Sequence, residues 1–306
     1  MENGPTVLNK IVIFGVGLIG GSFASALRKA GAVREVVGVG RSTSTLQRAK
    51  ELGLIDTIAI SVEEAMRDAD LVLLAAPVAQ TEAILASIKP WLQAQTVITD
   101  AGSIKGEVIA AAERALGEKI AQFVPGHPIA GRETTGPDAA ISDLYVGKKV
   151  VLTPLSQNSE AHLAIVTQAW QQCGASVHCL SAKEHDAVFA AVSHLPHLLA
   201  FALVDEYAKR DNADTLFNYA ASGFRDFTRI AGSSPEMWRD IALTNQEAVL
   251  NELDAYLRQI TMLRAALAAG NGVALEVMFA NAQNARHAWL QNIEKAEAQP
   301  EQDRDA

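Results

Sequence analysis

Cysteine is nearly absent from this sequence. Cys173 and Cys179 are the only two in 306 residues, too few for a disulfide framework in so long a chain and without metal-ligand spacing. A reducing, cytoplasmic setting is expected. Basic residues are also sparse: 26 Lys and Arg stand against 35 Asp and Glu, a net charge of −9. No Lys/Arg cluster exists to neutralise phosphates, so no nucleic-acid partner is expected. Uninterrupted apolar runs of about 18 residues are missing too, which argues against a membrane span. The apolar stretch from Ile11 to Ile19 could mimic a signal peptide, but Gly15, Gly17, Gly20 and Gly21 would break its helix, so no signal is expected.

What is present is an ordinary globular composition, 49% hydrophobic and 20% charged, in a chain long enough for two domains, each with its own core. Short β-branched runs alternate with helical patterns over the first 180 or so residues. Ile11 to Phe14, Val36 to Val39, Leu71 to Ala75, Thr96 to Thr99, Gln122 to Val124, Lys149 to Thr153 and Ser176 to Leu180 read as strands bounded by Gly, Pro, Asp or Ser. Such alternation predicts an α/β fold, a Rossmann-type doubly wound sheet. After Lys183 the patterns are helical, over about 184–210, 213–222, 235–267 and 272–295. Ser234 and Pro235 suit the start of the third. The expected division is a dinucleotide-binding domain at 1–182, an all-helical C-terminal domain at 183–295 and a frayed acidic tail at 296–306.

The sequence Gly15-Val16-Gly17-Leu18-Ile19-Gly20 follows a strand and opens a helix, the context in which a G-x-G-x-x-G turn holds a dinucleotide pyrophosphate at a helix N-terminus. An acid that would hold the ribose diol of NAD is expected at the end of the second strand, but the chain reads Val39-Gly40-Arg41-Ser42 there. Arg41 and Ser42 suit a 2′-phosphate, favouring NADP over NAD; the alternative is a solvated Arg41 and an enzyme that accepts both. Pro77, just beyond the strand at Leu71, completes the expected cofactor-binding set.

Further motifs follow in order. They are Asp100-Ala101-Gly102-Ser103-Ile104-Lys105, Gly126-His127-Pro128-Ile129-Ala130-Gly131, Ser193-His194-Leu195-Pro196-His197 and Phe224-Arg225-Asp226-Phe227-Thr228-Arg229. Together with the glycine turn they resemble the prephenate/arogenate dehydrogenase family over residues 10 to 260 or so. The resemblance implies oxidative decarboxylation of prephenate, L-arogenate or both, with hydride passing to NADP or NAD, and 4-hydroxyphenylpyruvate or L-tyrosine as product. His127 lies in a Gly- and Pro-punctuated loop and matches the residue that takes the proton of the ring hydroxyl, a task suited to imidazole. Ser103 matches an orienting residue, and is equally suited to cap a helix before Ile104.

By the same resemblance Ser193 and His197 contact substrate, and Arg229 grips a carboxylate. Arg225, Asp226 and Glu133 are expected in a supporting ionic network, or, for Arg225 and Asp226, as solvated charges. On an ideal helix Ser193, His197 and Asp186 share one face, although Pro196 is expected to distort it. Asp186 reads more simply as a first-turn acid and His194 as a packed or surface histidine. His162, His178, His185 and His287 lack metal-ligand spacing, so no metal is expected. A long helix at 235–267 suggests a homodimer. A ketopantoate-type reductase and a non-catalytic dinucleotide sensor are the alternatives; against the first, no lysine lies between Lys209 and Lys295.

Overall fold

The computed structural model describes residues 7–298, with side chains through Ile293. Six strands form a wholly parallel sheet: β1 (Leu8–Phe14), β2 (Val33–Val39), β3 (Thr57–Ile58), β4 (Leu71–Leu74), β5 (Val97–Asp100) and β6 (Phe123–Val124). Their order, β3-β2-β1-β4-β5-β6, is that of the doubly wound dinucleotide-binding fold, with the switch point between β1 and β4. Helices cover both faces: α1 (Leu18–Lys29), α2 (Thr43–Glu51), α3 (Val62–Met66), α4 (Thr81–Ile88), α5 (Gly106–Leu116) and α6 (Glu160–Gln172).

Alternation along β1 explains why both faces need cover. Ile11 and Ile13 enter one apolar core with Phe23, Leu27 and Trp170, while Val12 and Phe14 enter the other with Leu85, Val108 and Phe123. Parallel strands buried on two sides read as continuous apolar runs, which is why the sequence pattern locates them.

Three further strands do not join this sheet. β7 (Gly126–Pro128), β8 (Lys149–Leu152) and β9 (Ser176–Cys179) form a separate sheet in which β7 runs antiparallel to β8. The expectation of one continuous sheet is corrected here, and so is the loop expected at His127. His127 pairs with Val151 in β7, an edge strand where the missing N–H of Pro128 costs no ladder bond.

The helical part continues with α7 (Ala182–Phe189), α8 (Leu195–Ala208), α9 (Ala213–Asn218), α10 (Ser222–Thr228), α11 (Pro235–Thr244), α12 (Gln246–Ala268) and α13 (Gly272–Ala298). Ser234 Oγ accepts from Met237 N, capping α11 as anticipated. The single helix expected at 235–267 breaks at Asn245, however. Between α7 and α8 the chain makes a π turn, Ala190–His194, in which Leu195 N donates to Ala190 O. Pro196 accounts for it: its ring cannot follow a tight α turn and it has no N–H to give. By length and composition Ala182–Ala208 is apolar enough to cross a membrane, yet it carries His185, Asp186 and His194, whose contacts are given below.

Close contacts divide the chain into one unit ending at Val249 and another beginning at Leu250. The second contains most of α12 and all of α13, and exposes Leu257, Met262, Leu267, Val273, Val277, Phe279 and Trp289. Apart from the end of α13, the tail expected from Ala296 lies outside the described residues.

The β1–α1 turn is the tightest joint in the first unit. Gly15 has φ +96°, and a Cβ there would lie 2.6 Å from Ala75 O. A Cβ on Gly20 would lie 2.3 Å from Gly15 O and 2.7 Å from Ile13 Cγ2. Both backbones are held against neighbours that cannot yield. Gly20→Ala is therefore expected to lower unfolding stability by about 1–3 kcal/mol, the usual cost of overpacking, read as a lower urea midpoint. An unchanged midpoint would contradict the packing argument.

Candidate active site

The cofactor end is built from the switch point. Gly17 caps α1 without a side chain, no acid occupies the first turn, and a Cβ on Gly17 would meet nothing within 4 Å. Open space before unsatisfied helix N–H groups suits a pyrophosphate. Leu18 and Ile19 form that first turn, and exposed Pro77 follows Ala75 and Ala76, against which Gly15 packs. Beyond β2, Ser42 caps α2 by accepting from Thr45 N, and Arg41 is exposed beside it. Gly40 has room: its Cβ would meet Leu46 at 3.5 Å, an ordinary contact.

The polar centre lies where β5 and β7 end near α5. Asp100 Oδ2 accepts from Gly102 N at 2.8 Å and from Lys105 Nζ at 2.5 Å, while Oδ1 accepts from Gly126 N at 3.0 Å. Lys105 is fully buried and also donates to Gly126 O. Burial pulls its pKa down, opposed by the Asp100 carboxylate. This pair ties the segment carrying Ser103 to the strand carrying His127.

From His127 a chain of hydrogen bonds runs inward. His127 Nδ1 lies 2.8 Å from His185 Nε2, and His185 Nδ1 lies 2.8 Å from Asp186 Oδ1. Asp186 accepts in addition from Lys105 N and Gly106 N, each at 2.7 Å. Those are the first N–H groups of α5, which has no cap from its own residues. Asp186 is thus a cap for a distant helix and not the local first-turn acid expected. The capping alternative for Ser103 falls by the same observation: its side chain is partly exposed and caps nothing.

Burial depresses the pKa of His127 well below the ordinary histidine value, reinforced by His185, Lys105 and His194. Burial likewise depresses His185, against the pull of Asp186. Burial opposes the charge of Asp186, but hydrogen bonds from His185, Gly106 and Lys105 keep its pKa below the usual carboxylate range. A neutral imidazole pair backed by a carboxylate results.

Along the next helix, His197 Nδ1 donates to Ser193 O at 2.9 Å, and its ring stacks on Trp238 at 3.6 Å. Ser193 and His197 are both partly exposed, so both can reach a ligand. Of the packed and surface readings of His194 the packed one holds: it lies against Trp238 and Asn245, whose Nδ2 also donates to Asp186 O. Arg229 pairs with Glu133 at 2.8 Å and, by its charge, contributes to lowering the His197 pKa. Arg225 is not brought to the site: it is 81% exposed and, among the described residues, its only ion pair is with its neighbour Asp226, at 4.0 Å. His185, Asp186, Lys105, Asp100, Asn245 and Trp238 are site residues that sequence reasoning did not single out as functional. A charged pair inside a strand-end motif, Asp100 and Lys105, was the available signal.

Two family profiles match this chain in tandem. Residues 23–179 match the prephenate dehydrogenase nucleotide-binding domain and residues 181–296 its dimerization domain. The chain belongs to the prephenate dehydrogenase family. A cyclohexadienyl dehydrogenase of Zymomonas mobilis is 37% identical over 284 residues, covering 92% of this chain and 96% of that protein. A prephenate dehydrogenase of A. aeolicus, solved with hydroxyphenyl propionate and NAD+, superposes with a TM-score of 0.79 at 35% identity, covering 95% of this chain and 98% of that one. An arogenate dehydrogenase of Synechocystis superposes with a TM-score of 0.77 at 29% identity, covering 92% of this chain and 99% of that one.

In this member of the prephenate dehydrogenase family the buried histidines set a pH response. His127, His185 and His197 are held below the ordinary value of 6.5 and His194 falls to about 4, each chiefly by burial. Below pH 6.5 the unfolded chain binds protons that the folded chain refuses, so stability falls as pH falls. Each such histidine contributes up to about 1.4 kcal/mol per pH unit between its folded and unfolded values. Asp186, with its depressed pKa, adds loss of the same sign at lower pH. Melting temperatures at constant ionic strength should decline from pH 6.5 toward 4.5; a flat profile would contradict the burial argument.

Proposed function

We propose that this chain is an NAD(P)-dependent dehydrogenase that oxidatively decarboxylates prephenate, L-arogenate or both. The observation that carries the reading is His127: its Nδ1 is engaged by His185, its ring is kept neutral by burial, and Nε2 has no partner among the described residues. That is the state a general base needs. Bound NAD(P)+ would supply the hydride acceptor, held at Gly15, Gly17, Leu18, Ile19 and Gly20. His127 Nε2 takes the proton of the ring hydroxyl as hydride leaves the same carbon and a carbonyl forms. Loss of carbon dioxide from the opposite ring carbon then aromatises the ring, and the new phenolate oxygen recovers the proton from His127. No net proton is released, and the gain of aromaticity drives the sequence. Ser103 orients the hydroxyl.

Arg229, an exposed guanidinium braced by Glu133, faces solvent where a substrate carboxylate can enter, and its planar fork suits that group. His197, fixed flat on Trp238, and Ser193 border the substrate side chain. Arg225 serves only at the solvent margin. A homodimer is supported by the match of residues 181–296 to a dimerization domain and by the apolar side chains exposed on α12 and α13. The working domain division, 1–182 for the dinucleotide and 183–295 for substrate and dimer, is supported by the profile matches at 23–179 and 181–296. Low cysteine use and the absence of a basic cluster support a cytoplasmic small-molecule enzyme.

The test crosses both substrates with both cofactors and follows nicotinamide absorbance. His127→Ala should lower turnover by about 10²–10⁴-fold while cofactor binding is kept, because the base is lost and the glycine turn is not. Wild-type turnover in the variant would overturn the base; turnover only with a 2-oxoacid and reduced cofactor would favour the ketopantoate-type alternative.

NADP is the favoured cofactor, since no acid ends β2 and Arg41 stands exposed beside the α2 N-terminus. Solvent screening keeps the preference modest, roughly tenfold. Gly40→Asp fits without a clash and should move the ratio of kcat/KM values toward NAD by repelling the 2′-phosphate and accepting from the ribose diol. A native preference for NAD would refute the reading of Arg41.

A further inference from the structure

We propose that His185, held by Asp186, is a positioning residue that sets which nitrogen of His127 carries the lone pair. The proposal rests on His127 being the base, and deepens that reading. An ionised carboxylate can only accept, so the proton between Asp186 Oδ1 and His185 belongs to His185 Nδ1. A neutral His185 then has a bare Nε2. The 2.8 Å contact with His127 needs one proton, and only His127 Nδ1 can provide it. His127 Nε2 is left unprotonated, in the orientation that receives a proton from a ligand. Each assignment follows from the one before it, starting at a carboxylate whose oxygens are occupied by three donors from two helices.

The surroundings keep this order of protons from being reversed. His185 is fully buried, and the rings of His127, His185 and Phe189 pack edge-on or tilted at 4.5–5.1 Å, which blocks ring flips and water. Lys105, bound to Asp100, adds a cation that disfavours a second proton on either imidazole. Without His185, His127 would lose both its tether and its tautomer preference, since the free imidazole readily carries its proton on Nε2.

The experiment uses the full-length protein with 15N-labelled histidine. In the wild type, His127 should show a protonated Nδ1 and an unprotonated Nε2, and His185 the same. His185→Leu should leave KM for substrate and cofactor near wild type, lower kcat about 10- to 100-fold, and shift the His127 proton toward Nε2. His185→Gln places an amide oxygen where Nε2 was, so it should restore the tautomer and most of the kcat. Should the wild-type spectrum show His127 protonated on Nε2, or should His185→Leu turn over at the wild-type rate, the proposal is overturned. The tautomer is read without turnover, so a silent His127→Ala variant would sink the base while leaving the proton order intact. If His185→Leu does not fold, the wild-type spectrum and the Gln variant still decide.

Discussion

The carboxylate of Asp186 is the contact on which the site is hung. It receives two backbone N–H groups at the start of α5 and one imidazole from its own helix, so a residue of the helical part closes the end of a helix that belongs to the sheet. A carboxylate largely withdrawn from water is costly unless well bonded, and three donors bond this one. Its backbone carbonyl is engaged as well, by Asn245 at the break between α11 and α12. Sheet helix, histidine pair and helical bundle therefore share one anchor.

A second buried charge completes the frame. Lys105 follows Ser103 in sequence and reaches back to Asp100 and to the carbonyl of Gly126, the residue before His127. A buried ion pair is weak evidence of stability, because desolvation offsets the attraction, but its geometry leaves few alternatives. Ser103 and His127 consequently sit on opposite flanks of one cross-link and are not free to drift as loop residues would. The same cation adds to the burial that keeps the neighbouring imidazoles neutral, coupling placement to protonation.

Much of this was legible beforehand, for identifiable reasons. Strands buried on both faces show as apolar runs, and the glycine turn lies between one such run and a helix pattern, so the fold class and cofactor end could be read directly. His127 was recognised, but its setting was not: Pro125, Gly126 and Pro128 all argue for a loop, and only pairing with Val151, far along the chain, makes it a strand. Asp186 was read locally because sequence offers only local neighbours, whereas the helix it caps begins 80 residues earlier, at Gly106. For His185 the sequence shows only a lack of metal-ligand spacing, which says nothing of a hydrogen-bonded partner 58 residues away. The break at Asn245 was invisible since the apolar periodicity runs through it, and an asparagine in a helix pattern gives no sign that its amide is turned inward.

The π turn at Ala190–His194 carries a consequence of a different kind. It spends one residue more than an α turn, so Asp186 and His185 on one side and His197 on the other are out of phase with a plain helix. Successive α-helical residues are rotated by about 100°, and deleting any one residue here would let the ladder close while swinging the two halves past each other by that angle. Side-chain chemistry could be kept throughout and His197 would still be swung away from His185 and Asp186. In this segment the information held by the sequence is a length, and the changes it tolerates least are insertions and deletions.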